Sequence, residues 1–213
     1  MQILEQLGLG LGLASLAGLN LYLTVFLTGM LVRFDVLHLA EKYQTIEVLG
    51  HDWVLAAAGV LYAIEFIADK VPWVDSLWDS VHTIIRPVGG TILAMQALGE
   101  MPAHMEVVGA LLAGGAALTT HSAKAGTRLL ANHSPEPASN IALSITEDII
   151  VAAGTVVMVL KPVLALCFFT AALIVLWLVL PRMYRVIRRS FEIIRDKLRA
   201  FTQRKSLQHE ACS

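Results

Sequence analysis

Val163-Leu-Ala-Leu-Cys-Phe-Phe-Thr-Ala-Ala-Leu-Ile-Val-Leu-Trp-Leu-Val-Leu180 runs without a single charge and then meets Pro181 and a basic segment. A bilayer core about 30 Å thick takes roughly 20 helical residues to cross, so this stretch predicts a transmembrane helix. Working backwards, five more apolar segments fall at 7–32, 54–67, 84–98, 107–120 and 141–160. The first is uninterrupted except for Asn20 and small residues. The second carries on through Asp69, and the third is short, with Pro87-Val-Gly-Gly90 in its first turns. The fifth holds Glu147 and Asp148 inside it. The reading is an all-α, polytopic transmembrane helix bundle of about six spans over residues 1–181. A re-entrant hairpin among segments two to four is the alternative count.

Composition agrees. Of 213 residues, 56% are hydrophobic and 15% charged, and the mean hydropathy is +0.67. A soluble domain carries about 25% charged residues. The net charge of -1 conceals an asymmetry, because the tail alone holds Arg182, Arg185, Arg188, Arg189, Arg195, Lys197, Arg199, Arg204 and Lys205. Positive charge marks the cytoplasmic side. With six spans both termini then lie in the cytoplasm, and the expected location is the cell inner membrane. Cytoplasmic connections would hold Lys70, Lys124 and Arg128, with Arg86 near one edge. The outside would hold Arg33, Lys42 and Lys161 with Asp35, Glu41, Glu47, Asp52, Glu100 and Glu106.

In the tail (182–213), Tyr184, Ile187, Phe191, Ile194, Leu198 and Phe201 recur in steps of three and four, a single helical stripe among basic residues. Such a basic amphipathic helix is expected to lie on anionic lipid; a short coiled coil would use the same stripe. A homo-oligomer is compatible with a chain of this size. Neither a cofactor nor a nucleic-acid partner is expected. Cys167 and Cys212 are not placed to form a structural disulfide, Cys212 is misplaced for prenylation, and the N-terminus lacks the cationic start of a signal peptide.

The chain also resembles itself. Pro72-Trp-Val-Asp75 to Gly89 aligns without gaps to Pro137-Ala-Ser-Asn140 to Gly154, bringing Asp75 onto Asn140, Asp79 onto Ser144 and His82 onto Glu147. Upstream, Gly59 falls on Gly115 and Glu65 on His121. The units, about 54–98 and 107–160, each read as helix, proline turn, helix, with Asp75 and Asn140 placed to cap the second helix. Duplicated units with polar groups where they meet are a common transporter architecture.

Ionisable residues sit on these helices in faces. Asp75, Asp79, His82 and Arg86 follow at i, i+4, i+7 and i+11; Glu65 and Asp69 at i, i+4; His121, Lys124 and Arg128 at i, i+3 and i+7; Glu147 and Asp148 deep in the fifth segment. Charges at membrane depth cost on the order of 2.5–3.5 kcal/mol each, so they pair or face a polar cavity. The acids of the first unit and the bases of the second offer partners. One reading makes them interhelical ion pairs; the other makes them the lining of a route for an ion or small polar solute, with His121 and the carboxylates exchanging protons. Asp79, His82, His121 and Glu147 are a mixed ligand set without a metal-binding signature. His38, His51, His104 and His133 fall in loops. Nucleophile-elbow, phosphate-loop and dinucleotide motifs are lacking. The small pairs Gly8/Gly12, Ala14/Gly18 and Ala110/Gly114 read as close helix packing.

Glu65-Phe-Ile-Ala-Asp-Lys-Val-Pro-Trp-Val-Asp75, Arg86-Pro-Val-Gly-Gly90, His121-Ser-Ala-Lys-Ala-Gly-Thr-Arg128, Ser134-Pro-Glu-Pro, Glu147-Asp148 and Gly18-Leu-Asn20 resemble a bacterial integral-membrane family, domain of unknown function 4126. The resemblance spans about 8–180 and leaves out the tail. It implies a membrane protein and brings no established activity. The leading expectation is a small transporter or channel-like protein. Its rivals are a membrane scaffold or assembly factor acting through the tail, and an intramembrane lipid-modifying enzyme.

Overall fold

The computed structural model describes residues 2–36, 44–99, 101–131 and 137–210. Glu41, Lys42, Glu100, Cys212 and the histidines His38 and His133 lie outside the described residues, as do most of Ser134-Pro-Glu-Pro and the stripe side chains from Phe191 onward. The fold is all-helical among the described residues: α1 (Gln2–Leu19), α2 (Leu21–Arg33), a 3-10 segment (Gln44–Gly50), α3 (Asp52–Ala68), α4 (Pro72–Leu98), α5 (Ala103–Ala131), α6 (Pro137–Leu160) and α7 (Pro162–Glu210). Two stretches are long and apolar enough to cross a membrane, Ser139–Leu160 and Pro162–Arg189. The stretches Ile3–Leu19 and Leu21–Arg33 are apolar but shorter.

Helix α1 is the hub, packed on α4, α5, α6 and α7. Leu9, Leu13 and Leu16 of α1 share one buried cluster with Leu93, Val151, Met158 and Phe169. Two glycines set how closely the neighbours approach. A Cβ at Gly8 would run into the Pro162 carbonyl, and one at Gly18 into the Ala117 carbonyl and Thr120 hydroxyl. No larger residue fits either crossing without moving backbone.

Four expectations are corrected. The segment 7–32 is two helices, divided at Asn20, whose extended backbone (φ -146, ψ 100) and side chain cap α2. The third segment begins at Pro72 rather than near 84, so Pro87 lies in the middle of a 27-residue helix. Asp75 does not cap α4. Its N-cap is Val71, without a side-chain cap bond, and the Asp75 carboxylate is taken by Arg128; Asn140 likewise lies inside α6. Finally, the tail is no separate element, because α7 continues through Pro181 to Glu210. Proline removes one backbone N–H there, yet the helix does not break.

Polarity runs inside out. Trp53, Trp73, Leu111 and Trp177 are 80%, 88%, 71% and 74% exposed, whereas Arg86, Lys124 and Arg128 are 0%, 3% and 2% exposed. Burying charge while exposing large apolar groups reverses the arrangement of a water-soluble domain.

Candidate functional site

The site starts from the break in the first apolar segment. In an unbroken helix Leu23 N–H would bond the Leu19 carbonyl. Here Leu23 N–H donates to Asn20 Oδ1 at 2.9 Å instead, and Leu19 O accepts from Lys124 Nζ at 3.2 Å. Asn20 also donates through Nδ2 to Asp148 Oδ1 at 3.1 Å, while Tyr62 O–H donates to Asp148 Oδ2 at 3.1 Å. One asparagine thus opens the helix and ties the opening to α6.

Around it, α3 contributes Glu65 and the C-cap Asp69, α4 contributes Asp75, Asp79, His82 and Arg86, α5 contributes His121, Lys124 and Arg128, and α6 contributes Glu147 and Asp148. Arg128 donates to Glu147 Oε2 at 2.7 Å, Asp75 Oδ1 at 2.8 Å, the Asp69 carbonyl at 2.9 Å and Asp69 Oδ2 at 3.1 Å. Lys124 Nζ lies 3.0 Å from Asp69 Oδ2, 3.3 Å from Glu147 Oε2 and 3.6 Å from Glu65 Oε1. Arg86 donates to Glu65 Oε1 at 2.7 Å, His121 Nδ1 at 2.8 Å and Asp79 Oδ1 at 3.2 Å. All eleven residues singled out from the sequence therefore gather at one place.

Hydrogen-bond chemistry fixes the histidines. A guanidinium only donates, so His121 Nδ1 accepts from Arg86 and the ring proton sits on Nε2, facing Thr83 Oγ1 at 3.1 Å. Thr83 in turn donates to the Asp79 carbonyl at 3.0 Å. His82 is the opposite tautomer. Its Nδ1–H donates to the Trp78 carbonyl at 2.8 Å and its Nε2 accepts from Tyr22 O–H at 3.0 Å. The two rings differ in what a second proton would do. At His82 the Tyr22 hydroxyl turns round and accepts; at His121 the bond from Arg86 is lost.

With both histidines neutral, the acids Glu65, Asp69, Asp75, Asp79, Glu147 and Asp148 outnumber the buried cations among the described residues, Arg86, Lys124 and Arg128, six possible negative charges against three positive, with Lys70 at the edge near Asp69 and Asp148. Glu65 Oε2, Asp69 Oδ1 and Asp75 Oδ2 are buried without a hydrogen-bond partner. The surplus is met by protons on carboxylates or by cations taken from outside. No group of three or more His, Cys, Asp or Glu among the described residues is arranged to hold a metal ion. His51 caps α3, His104 lies in the first turn of α5, and both stand apart from the site. Lys70, beside it in sequence, turns outward over the Phe66 ring at 2.9 Å.

Residues 7–182 match the model of a family described as a domain of unknown function (DUF4126). The chain belongs to this DUF4126 family. No curated protein and no solved structure matches it. All eleven site residues of this DUF4126 protein fall inside the matched stretch, and nearly all of its basic tail falls outside. Sequence reasoning left Leu19, Tyr22, Tyr62, Trp78 and Thr83 out of the site. Asn20 carried a signal, as the lone strongly polar side chain of the first apolar segment. The tyrosines carried none, because their role depends on which helix faces them.

Proposed function

We propose that this is a multi-pass inner-membrane protein, a small transporter or channel-like protein that passes an ion or small polar solute through its charged interior. The observation that carries this reading is the meeting of a broken helix with a buried charge network, at the Leu19 carbonyl and Lys124. Broken helices that present free backbone carbonyls to a charged centre are the usual ion-site construction of secondary transporters. Irregular backbone at membrane depth is tolerated only where protein or a cavity satisfies it.

In this reading the broken pair α1–α2 and helices α3 to α7 make six crossings, with the basic tail on the cytoplasmic side. Apolar exposure on α3, α4 and α5 at Val60, Ile67, Leu77, Ile84, Val107 and Leu111 supports the crossings. The ionisable inner faces of α4 and α5 lower their mean hydropathy and mask them in a hydropathy scan. The duplication enters the same reading: α3–α4 and α5–α6 are two helix pairs whose second members both begin at proline, Pro72 and Pro137.

The scaffold reading has one observation in its favour, since all three buried cations are held by carboxylates as in a brace. Purified protein in liposomes, with the tail intact or removed after Arg182, separates the two. Transport predicts ion or solute flux above protein-free vesicles that survives truncation. A scaffold predicts no flux for any ion or solute tried and loss of cellular function on truncation.

A further inference from the structure

Asp148 is the odd acid of the charged interior. Glu65, Asp69, Asp75, Asp79 and Glu147 each have a cation within ion-pairing distance. Asp148 has none among the described residues, although it stands midway along the apolar stretch Ser139–Leu160. Neutral donors hold both its oxygens instead: Asn20 Nδ2 at Oδ1 and Tyr62 O–H at Oδ2, each at 3.1 Å. The other five acids are buried, whereas Asp148 is half-buried and reaches the surface of the bundle. Through space it feels Asp69 at the C-cap of α3, Lys124 of α5 and, at the edge, Lys70. Glu147 precedes it on α6, and Glu65 of α3 acts on its partner Tyr62. Lys124 is already held by Asp69, Glu147 and the Leu19 carbonyl. Neither α2 before Arg33 nor α7 before Arg182 carries a charged side chain.

A carboxylate at that depth without a cation is costly, and a proton neutralises it without needing a cavity. The hydrogen bonds allow one. A proton arriving at Oδ2 turns the Tyr62 hydroxyl from donor to acceptor, while Oδ1 goes on accepting from Asn20. We propose that Asp148 is a proton-binding site, the carboxyl through which the charged interior exchanges a coupling proton with its surroundings. The proposal names the ion of the transport reading, and its role in flux rests on that reading. Further in, Glu65 Oε2 and Asp69 Oδ1 are buried acceptors without hydrogen-bond partners, open to a proton that moves on. The state of Asp148 is also felt at the helix break. Asn20 grips the carboxyl through Nδ2 and caps Leu23 N–H through Oδ1, beside the Leu19 carbonyl that Lys124 takes. Neutralising Asp148 turns a charge-assisted bond into an ordinary one and loosens that grip.

The test is infrared difference spectroscopy of the purified full chain in liposomes, stepped between acid and alkaline buffer, with proton uptake measured on the same vesicles. Wild type should gain a carboxylic-acid C=O band on acidification as a carboxylate band falls. Asp148→Asn, which copies the shape of the protonated form, should lose that band. Tyr62→Phe should keep the band and shift its frequency, because the hydroxyl that bonds this carboxyl is gone. An Asp148→Asn difference spectrum identical to wild type overturns the proposal. If Asp148→Asn does not fold, Tyr62→Phe decides: a shifted band supports the site and an unmoved spectrum overturns it. In the vesicles, proton uptake by wild type should be lost in folded Asp148→Asn. Uptake that persists in that variant overturns the site and leaves transport standing. A band lost in Asp148→Asn, with no flux of any ion or solute in wild type, keeps the proton site and removes transport.

Discussion

Two arginines in this protein meet carboxylates with the same chemistry and in opposite surroundings. Arg33 meets Asp52 at 2.5 Å at the end of α2, with both side chains at least half exposed. Arg128 meets Glu147 at 2.7 Å and Asp75 at 2.8 Å with almost no exposure. Contact distance therefore says little about consequence. An exposed pair contributes about 0–1 kcal/mol because water and salt screen it. A buried pair gains little over an apolar replacement of both partners, but loss of one partner strands the other at about 3–5 kcal/mol. The buried region is over-determined: Arg128 alone ties α5 to α3, α4 and α6.

The largest effect should come from removing a buried cation. Arg128→Met leaves Asp75, Asp69 and Glu147 facing one another, and we expect about 3–5 kcal/mol of lost stability in chemical unfolding in micelles. Gly18→Ala should follow at about 1–3 kcal/mol, since the added carbon meets the Ala117 backbone and forces α1 from α5. Removing a buried acid should matter less than removing a base, because acids are in excess. Asp75→Asn keeps the contacts of Arg128 with Glu147 and Asp69 and should cost about 1–2 kcal/mol. Equal losses for Asp75→Asn and Arg128→Met would show that the network is balanced as built. Smallest of all, Arg33→Gln should change stability by about 0–1 kcal/mol, an effect that vanishes in high salt.

The same contrast explains what could be read from the sequence. Spacing put Asp75, Asp79, His82 and Arg86 on one face of a helix and His121, Lys124 and Arg128 on another, because helical periodicity is local. The cost of burying charge made their meeting the economical expectation. The all-helical class followed from apolar runs, although their ends did not. Helix α4 starts a dozen residues before the apolar segment that signalled it, since its first turns bury Asp75 on Arg128 of α5 and Asp79 on Arg86 of α4 itself. The break at Asn20 was visible only as a polar residue in an apolar run. The break itself is the local cap of Leu23 N–H by the Asn20 side chain; the contact of that side chain with Asp148, 128 residues away, is what no local pattern encodes. Asp75 was misread as a cap for the same reason: a carboxylate one turn into a helix suits a cap locally, and Arg128 outcompetes that role.

The reading proposed for the buried network is that of a pathway and not of a brace. The most direct measurement is pH- and ion-dependent flux in proteoliposomes carrying wild type or Glu65→Gln/Glu147→Gln, with folding of the variant checked by its unfolding transition. A pathway gives flux above protein-free vesicles for wild type and its loss in the folded variant. Wild-type flux in that variant would contradict it.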